Sequence, residues 1–400
     1  MNTANTDQRL HSLDNLRAIM MWLGIVVHVS VNYMINPSPT PWRDSQTSVL
    51  ADLLIVFIHA FRMPVFFILA GFFVAMLVAK RGMAAMLRQR VRKLVWPFMV
   101  FWPLLLIFMS LLVAVYAHLN AFGTMGVDFE LIPKVPGRPQ VSLLHLWFIY
   151  YLFLYCLVYA LLLRWSVFIP LALQHGFANT WKILCTNWWG IFLLTLPLAL
   201  AGSFYRNGMV TPLGSFMPHP AEFIHSGMFF SCGIFLYRFQ ADLLPRFERR
   251  CWSYLCAGLP VFVVFLALVK SGGNTESANP GMQTIMAYLY NSVSWLWSFA
   301  LIGLFLRYLL GKSRLLSYLA DSSYWVYLVH MLGTIGFGIL LYHSPFGAVG
   351  RMMCNIVLTS LFCLLSYHLL VRRGLIERFL NGGASKKAVD AGSVNPGISC

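Results

Sequence analysis

Ten long apolar segments, separated by short polar stretches, dominate the hydrophobic pattern of this chain. They cover approximately residues 14–35, 50–79, 94–117, 142–164, 184–204, 221–238, 251–269, 282–307, 317–342 and 350–371. Most approach or exceed the roughly 20 residues that a helix needs to cross a bilayer, so the pattern predicts an all-α, polytopic transmembrane bundle of about ten spans. The fifth segment is the weakest because Pro197 and Gly202 interrupt it.

The basic residues predict an orientation for this bundle. If the amino terminus faces the cytoplasm, only six of the 29 Lys and Arg residues fall in loops on the opposite side. Those six are Arg43, Lys134, Arg138, Arg206, Lys270 and Arg351. By the positive-inside rule, both termini are expected in the cytoplasm. We expect residues 1–380 to form one integral membrane domain and residues 381–400, rich in Gly, Ser and Lys, to form a disordered cytoplasmic tail.

Composition supports this class and excludes others. The chain is 59% hydrophobic and 10% charged, far from the averages of soluble domains. Its net charge of +16 is spread over the loops, which indicates attraction to anionic membrane lipid and argues against a nucleic-acid partner. No Cys-x-x-Cys pair or Cys/His cluster has zinc-ligand spacing, so no metal site is expected.

The first apolar segment carries a polar stripe. Arg17 and His28 are eleven residues apart, which places them on one helix face about 16 Å apart along the axis. Gly24 shares this face, and Asp14 and Asn32 lie near its edges. Lipid cannot satisfy these groups, so the stripe predicts a protein interior or a wet cavity and favours a functional site. Arg17 has two further interpretations, a position among the lipid headgroups and a pair with Asp14.

Further polar residues are expected in the outer half of the bundle. His59 and Arg62 are three residues apart in the second segment and share a helix face. His145 opens the fourth segment and Glu222 and His225 open the sixth, all at the outer interface. In the ninth segment, Tyr327 and His330 lie on neighbouring faces, and His330 is expected near the middle of the membrane. Each histidine alone is more typical of a hydrogen-bonded interior residue. The convergence of several polar residues on the outer half favours contact with a substrate.

A dense basic run lies on the expected inner side, just before Trp96–Pro97. It contains Arg88, Arg90 and Arg92, followed by Lys93. Guanidinium groups bind phosphates through charge-assisted, bidentate hydrogen bonds, so the run is a candidate phosphate site. The alternative is that it serves membrane orientation and lipid headgroups, and the two interpretations are compatible.

Several stretches resemble a known family in collinear order over nearly the whole chain. They are Leu13–Ile19 with His28, Phe61–Phe72, Arg88–Pro97, His145–Phe148 and Ser323–His330. They resemble the membrane-bound acyltransferase type 3 family, which moves acyl groups onto extracytoplasmic sugars. Within this family, the chain is most similar to one group, on the basis of Phe57–Met63 and the lack of a fused hydrolase domain. Members of that group resemble succinyltransferases that act on osmoregulated periplasmic glucans. Many relatives have Ser-Gly where this chain has Ala70–Gly71, so no hydroxyl acts there.

The resemblance implies a multi-pass enzyme of the bacterial inner membrane. Its donor would be acyl-CoA, with succinyl-CoA as one candidate, and its acceptor would be a periplasmic glucan or another glycan. Membrane lipid would be its only other partner, and no bound cofactor is expected. The catalytic candidates are His28, as general base, with Arg17 and Arg62, and the donor phosphates would bind Arg88, Arg90 and Arg92. Arg62 and Tyr327 are alternative donors to an oxyanion. The expected substrate contacts are His59, His145, Trp147, Tyr327 and His330.

Three rival functions remain at this stage. A glycan or lipid transporter would share the polar stripe but would move its substrate without acyl-transfer chemistry. A lipid-linked glycosyltransferase would need an acidic pair in an outer loop, where the first such loop offers only Asp44, with Asp52 beyond it. A membrane scaffold explains neither the stripe nor the basic run.

Overall fold

The computed structural model describes residues 3–35, 42–132, 141–272, 280–311, 313–372 and 374–380, and all regular structure within them is helical. The helices are α1 (Thr3–Val31), α2 (Val49–Arg81), α3 (Met83–Arg90), α4 (Trp96–Phe122), α5 (Trp147–Trp165), α6 (Leu171–Thr186), α7 (Gly190–Gly202), α8 (Pro220–Arg238), α9 (Gln240–Gly272), α10 (Pro280–Tyr308), α11 (Arg314–Leu341), α12 (Ala348–Ser366) and α13 (Leu375–Leu380). The tail expected at residues 381–400 lies outside the described residues.

The all-α membrane bundle is confirmed, with a smaller number of spans than expected. Within the described residues, eight helical segments are long and apolar enough to cross a membrane, and the bent pair α6–α7 makes nine if it is one span. The expected fifth span is wrong in its bounds, because residues 184–204 include the 106° bend between those helices. The expected sixth span is the 19-residue helix α8, which falls short of the hydropathy of a span because it carries Glu222 and His225.

Helix α1 lies beside α2, and the two run in opposite directions. Near the end of α1, the Ile35 N–H donates to Asp52 Oδ2 at 2.9 Å. Further back along α1, the Met20 carbonyl accepts from Arg62 Nε at 2.9 Å. Higher numbers on α2 therefore face lower numbers on α1, as expected for consecutive spans joined by a short connection.

On its other side α1 packs against α11, and these two helices are parallel. The Trp22 indole donates to the Leu319 carbonyl at 3.2 Å. Ten residues further along α1, the Asn32 amide donates to the Thr334 carbonyl, also at 3.2 Å. This register brings the polar stripe of α1 against residues about 300 positions away in the chain.

Helix α2 packs closely against α8 through two glycines. A Cβ atom on Gly71 would overlap the Phe230 carbonyl, and one on Gly233 would overlap the Ile68 carbonyl. Small residues let the backbones of membrane helices approach closely. Van der Waals contact then stabilises the helix pair, because lipid provides no hydrophobic driving force for helix association. This contact fixes the position of α2, and with it the polar face that α2 turns toward α1.

The basic run lies at a break in helical geometry. Gly82, with φ of +79°, ends α2 and allows the chain to turn into α3. Between α3 and α4, residues Val91–Val95 form a π-helical turn. Such turns rotate the side chains that follow and are frequent at functional sites.

Candidate active site

Three histidines from distant parts of the chain meet inside the bundle. His28 lies on α1, His330 on α11, and His145 in the 3-10 turn before α5. The ring centroids of His28 and His330 are 5.1 Å apart, as are those of His145 and His330. His145 and His330 are buried, whereas His28 is partly accessible. Within these three residues, which we call the histidine cluster, His28 is therefore the member that a substrate can approach.

Backbone carbonyls fix the proton positions on the two buried rings. His330 Nδ1 lies 2.9 Å from the carbonyl oxygens of both Val326 and Tyr327. His145 Nε2 lies 3.1 Å from the Tyr327 carbonyl and 3.2 Å from that of Leu328. Because a carbonyl only accepts, each of these nitrogens carries its hydrogen and donates. The opposite nitrogens, His330 Nε2 and His145 Nδ1, are buried acceptors without a partner among the described residues.

Tyr327 holds His145 in place. Its hydroxyl donates to the His145 carbonyl at 2.9 Å, while the His145 ring donates to the Tyr327 carbonyl. This reciprocal pair ties the start of α5 to α11. Because the Tyr327 hydrogen is already donated to the backbone, Arg62 is the better placed of the two expected oxyanion donors.

Arg62 is a buried cation next to the histidine cluster. Its Nε donates to the Met20 carbonyl, and its charge acts on all three histidines. Gly24 admits the guanidinium, since a Cβ atom there would overlap Nη2. The ion pairs among the described residues are Arg17–Asp14, Lys182–Asp242 and Arg351–Asp44. No carboxylate thus neutralises Arg62 in this part of the chain, which suits it to a negative charge on a substrate.

His59 lies on the same side as Arg62. Its side chain is half-buried, and Nδ1 donates to the Ile55 carbonyl at 3.2 Å. His59 is within electrostatic range of His28. It therefore forms an edge of the site that remains partly open.

Trp147 lies in an aromatic group between α2 and α5. Its ring centroid is 6.3 Å from that of Phe67 and 5.5 Å from that of Tyr151. The Tyr151 hydroxyl donates to the buried carboxylate of Glu222 at 2.9 Å. Among the described residues, the ring contacts of Trp147 are thus with aromatic neighbours rather than with the histidine cluster.

At the other end of the α1 stripe, three cations gather around one carboxylate. Arg17 pairs with Asp14 at 3.2 Å, which confirms the interpretation from their spacing, and its guanidinium lies over the Phe73 ring at 5.7 Å. The charges of Arg17, Arg90 and Lys93 act on one another, and Asp14 acts on Lys93. We call Arg17, Arg90 and Lys93 the inner basic cluster. Its excess positive charge is suited to a polyanion.

The three arginines expected to bind phosphate together are divided by the fold. Arg88 and Arg92 are exposed, whereas Arg90 turns inward and its Nε is buried without a hydrogen-bond partner among the described residues. Residues two apart do not share a helix face, which is the physical reason. The π-helical turn adds Lys93 to the inward side, and its carbonyl accepts from the Tyr324 hydroxyl of α11 at 2.7 Å.

A buried ion pair lies at the start of α12. Arg351 Nη1 and Asp44 Oδ1 are 2.8 Å apart, and Arg351 also donates to two backbone carbonyls. Burial raises the pKa of the Asp44 carboxyl, whereas the Gln46 N–H and Arg351 favour its charged form. Sequence reasoning treated Arg351 as an outer-loop charge and missed this pair. The available signal was the polar stripe formed by Arg351, Asn355 and Thr359 at four-residue spacing.

The chain belongs to the membrane-bound acyltransferase type 3 family, and this membership makes it a membrane acyltransferase. A family model described as an acyltransferase domain matches residues 10–370, nearly the whole described part. The resemblance found in the sequence motifs is thereby confirmed. Among the described residues, no group of three or more His, Cys, Asp or Glu is arranged to hold a metal ion.

The chain is similar over nearly its full length to proteins named glucans biosynthesis protein C. The one from Escherichia coli strain SMS-3-5 is 24% identical over 394 residues, which cover 94% of this chain and 95% of the relative. The one from E. coli O139:H28 strain E24377A is 25% identical over 400 residues, with the same coverage of both chains. No solved structure matches the chain.

Proposed function

We propose that this protein is a transmembrane O-acyltransferase of the bacterial inner membrane. It would move an acyl group from cytoplasmic acyl-CoA to a hydroxyl of a periplasmic glucan or other extracytoplasmic glycan. Family membership supports acyl transfer, and the glucan acceptor is suggested by the name of the relatives. Succinyl-CoA is the first donor to test.

The observation that carries this proposal is the order of polar groups along α1. The inner basic cluster lies at Arg17, the Arg62 guanidinium at Gly24, and the histidine cluster at His28. At 1.5 Å per residue, Gly24 is about 10 Å and His28 about 16 Å from Arg17 along the axis. A long donor with a charged head and a reactive end would find complementary groups at both ends of this axis.

The inner basic cluster would hold the phosphates of the donor. Arg90 and Lys93 face Arg17, and together they exceed the single negative charge of Asp14. A nucleotide head is too polar to enter the bundle, so only the acyl-bearing arm would pass between the helices. Arg17 thus takes part in donor binding rather than acting directly at His28.

At the other end, His28 would act as the general base. Neutral imidazole takes the proton of the attacking sugar hydroxyl, whose oxygen forms a bond to the thioester carbonyl carbon. Arg62 stabilises the negative charge that develops on the carbonyl oxygen. The carbon–sulfur bond then breaks, and the proton passes from His28 to the leaving thiolate, so that an ester and free CoA are the products.

Acyl transfer across the membrane is tested with proteoliposomes of defined orientation. Acyl-CoA with a labelled acyl group is supplied on the cytoplasmic face, and soluble glucan on the opposite face. The expected result is label bound covalently to the glucan as a base-labile ester. Unmodified glucan or free acyl-CoA crossing the bilayer without ester formation would instead identify a transporter.

The same vesicles test the sidedness of the reaction. When both substrates are confined to the cytoplasmic face, little ester is expected, because the acceptor reaches His28 from the outer side. Equal labelling in this arrangement would contradict transfer across the membrane. Vesicles without protein provide the background rate of hydrolysis.

A further inference from the structure

Beyond the histidine cluster, three helices continue their polar stripes toward the outer end of the bundle. Each stripe repeats at four-residue spacing, which keeps its members on one helix face. The stripes are His28 on α1 with Asn32 directly after its end, His330, Thr334 and Gly338 on α11, and Arg351, Asn355 and Thr359 on α12. Because α1 and α11 are parallel, Asn32 and Thr334 form a layer about 6 Å beyond His28 and His330.

Hydrogen bonds hold this layer together. The amides of Asn32 and Asn355 both donate to the Thr334 carbonyl, at 3.2 Å and 3.0 Å, and the Thr359 hydroxyl donates to Asn355 Oδ1 at 2.9 Å. Gly338 makes room for it: a Cβ atom there would lie 2.9 Å from Asn32 Nδ2, and it would also meet the Tyr116 ring of α4. Four helices therefore converge on one polar point.

Asp44 closes the layer from the outer side. Its backbone N–H donates to the Asn32 carbonyl at 2.8 Å, and its carboxylate pairs with Arg351. Tyr116 lies within electrostatic range of Asp44. We call Asn32, Tyr116, Thr334 and Asn355, together with Asp44, the outer polar layer.

The layer contains polar atoms that the protein does not satisfy. Asn32 Oδ1, Tyr116 OH, Thr334 Oγ1 and Asp44 Oδ2 are buried and have no hydrogen-bond partner among the described residues. The first three residues are 0% exposed and Asp44 is 3% exposed. Native proteins seldom leave such groups unpaired, because each costs desolvation without a compensating bond. Tyr116 and Thr334 offer hydroxyl groups, and Asn32 and Asp44 offer oxygen acceptors. This set is complementary to a ligand whose groups both donate and accept hydrogen bonds.

We propose that the outer polar layer is the acceptor subsite, where hydroxyl groups of a carbohydrate bind beside the histidine cluster. This inference rests on the proposed function and specifies where its acceptor lies. Each sugar hydroxyl both donates and accepts, so two of them suffice for the Tyr116 and Thr334 hydroxyls and the oxygens of Asn32 and Asp44. A neighbouring hydroxyl of the same molecule then lies within one helical turn of His28.

The proposal is tested by removing single hydroxyls without changing side-chain shape. Tyr116→Phe and Thr334→Val are compared with wild type for binding of glucose oligosaccharides of α and β linkage to the purified protein, without acyl-CoA. Each variant is expected to bind about 3- to 10-fold more weakly, as for the loss of one uncharged hydrogen bond. Thermal stability should be retained or increased, because the deleted hydroxyls have no protein partner.

Thr195→Val provides the matched control. Thr195 is also fully buried, but it lies on α7 and donates to the Ile191 carbonyl of its own helix. Its oligosaccharide affinity should equal that of wild type. If Tyr116→Phe and Thr334→Val also bind as wild type does, or if wild type binds none of the oligosaccharides, the layer holds only water and the proposal is overturned. Ester formation from labelled acyl-CoA by wild type is measured separately, and its absence would overturn the proposed function without changing the binding result.

Discussion

The two faces of α2 differ in how they pack: one is small and apolar, and the other carries long polar side chains. Toward α8, Gly71 meets the Phe230 backbone so closely that no side chain fits. Toward α1, the same helix presents His59 and the long side chain of Arg62, whose guanidinium is buried without a carboxylate partner among the described residues. One face packs through close backbone contact, whereas the other carries a buried cation with no carboxylate partner among the described residues.

This difference indicates how the bundle holds a buried cation in place. A buried, unpaired guanidinium is costly, and it remains in place only if the surrounding helices cannot relax around it. The close α2–α8 contact supplies that rigidity. Changes at the α8 face are therefore expected to affect folding, and changes at the α1 face to affect chemistry.

The largest effect is expected at His28. His28→Gln should lower kcat about 10²- to 10⁴-fold, because glutamine cannot take the proton of the acceptor hydroxyl. The amount of folded protein should match wild type. Both are measured on purified protein, as labelled ester formed and as recovery from size-exclusion chromatography in detergent.

His175→Gln is the control for this change. His175 is exposed on α6, away from the histidine cluster, and its variant should keep wild-type turnover. Near-normal turnover of a folded His28→Gln protein would remove His28 from the proposed mechanism.

On the opposite face, Gly71→Ala should reduce stability by about 1–3 kcal/mol, as overpacking does elsewhere. The added methyl group meets a backbone carbonyl, which cannot move to another rotamer. The melting temperature in detergent measures this loss. Gly336→Ala on α11 is the matched control, because a Cβ atom there has open space, and its stability should be retained. Equal melting temperatures for the two variants would mean that the α2–α8 contact is not a rigid support.

The inner basic cluster should affect donor binding more than chemistry. Arg90→Gln combined with Lys93→Gln is expected to raise KM for acyl-CoA about 10- to 100-fold, with a smaller change in kcat, because lost phosphate contacts remove uniform binding. Steady-state kinetics at saturating acceptor measure both constants.

Arg88→Gln with Arg92→Gln removes the same charge from the exposed side of this segment. Its KM should remain close to wild type. If the two double variants behave alike, net charge rather than the inward-facing pair determines donor affinity.

The smallest effect is expected at Gly24, the glycine of the polar face. Gly24→Ala should lower kcat about 3- to 10-fold with little loss of stability, because its methyl group displaces only the flexible end of Arg62. Comparison of kcat and stability between Gly24→Ala and Gly71→Ala tests the same substitution on two different packing faces. Loss of folding with Gly24→Ala, or unchanged kcat, would contradict the distinction between them.

The sequence by itself determined the class of the protein and the polar face of its first span. Apolar length predicted the membrane helices, and the helical period placed Arg17, Gly24 and His28 on one face, as the structure has them. The spacing of Asp14 and Arg17 also predicted their ion pair. These features are local, since they depend on the geometry of one helix and on the cost of polar groups in lipid.

Only the tertiary structure decided which faces meet. His28 and His330 are 302 positions apart, and Arg351, expected only as an outer charge, pairs with Asp44, 307 positions away in the chain. The inward direction of the Arg90 side chain depends on local helical geometry. The inward direction of the Lys93 side chain depends on a π-helical turn that no residue pattern predicted. A helical period fixes the direction of a side chain around its own axis. The neighbour it meets is chosen by many weak packing contacts summed over the whole bundle, and no single stretch of sequence contains that sum.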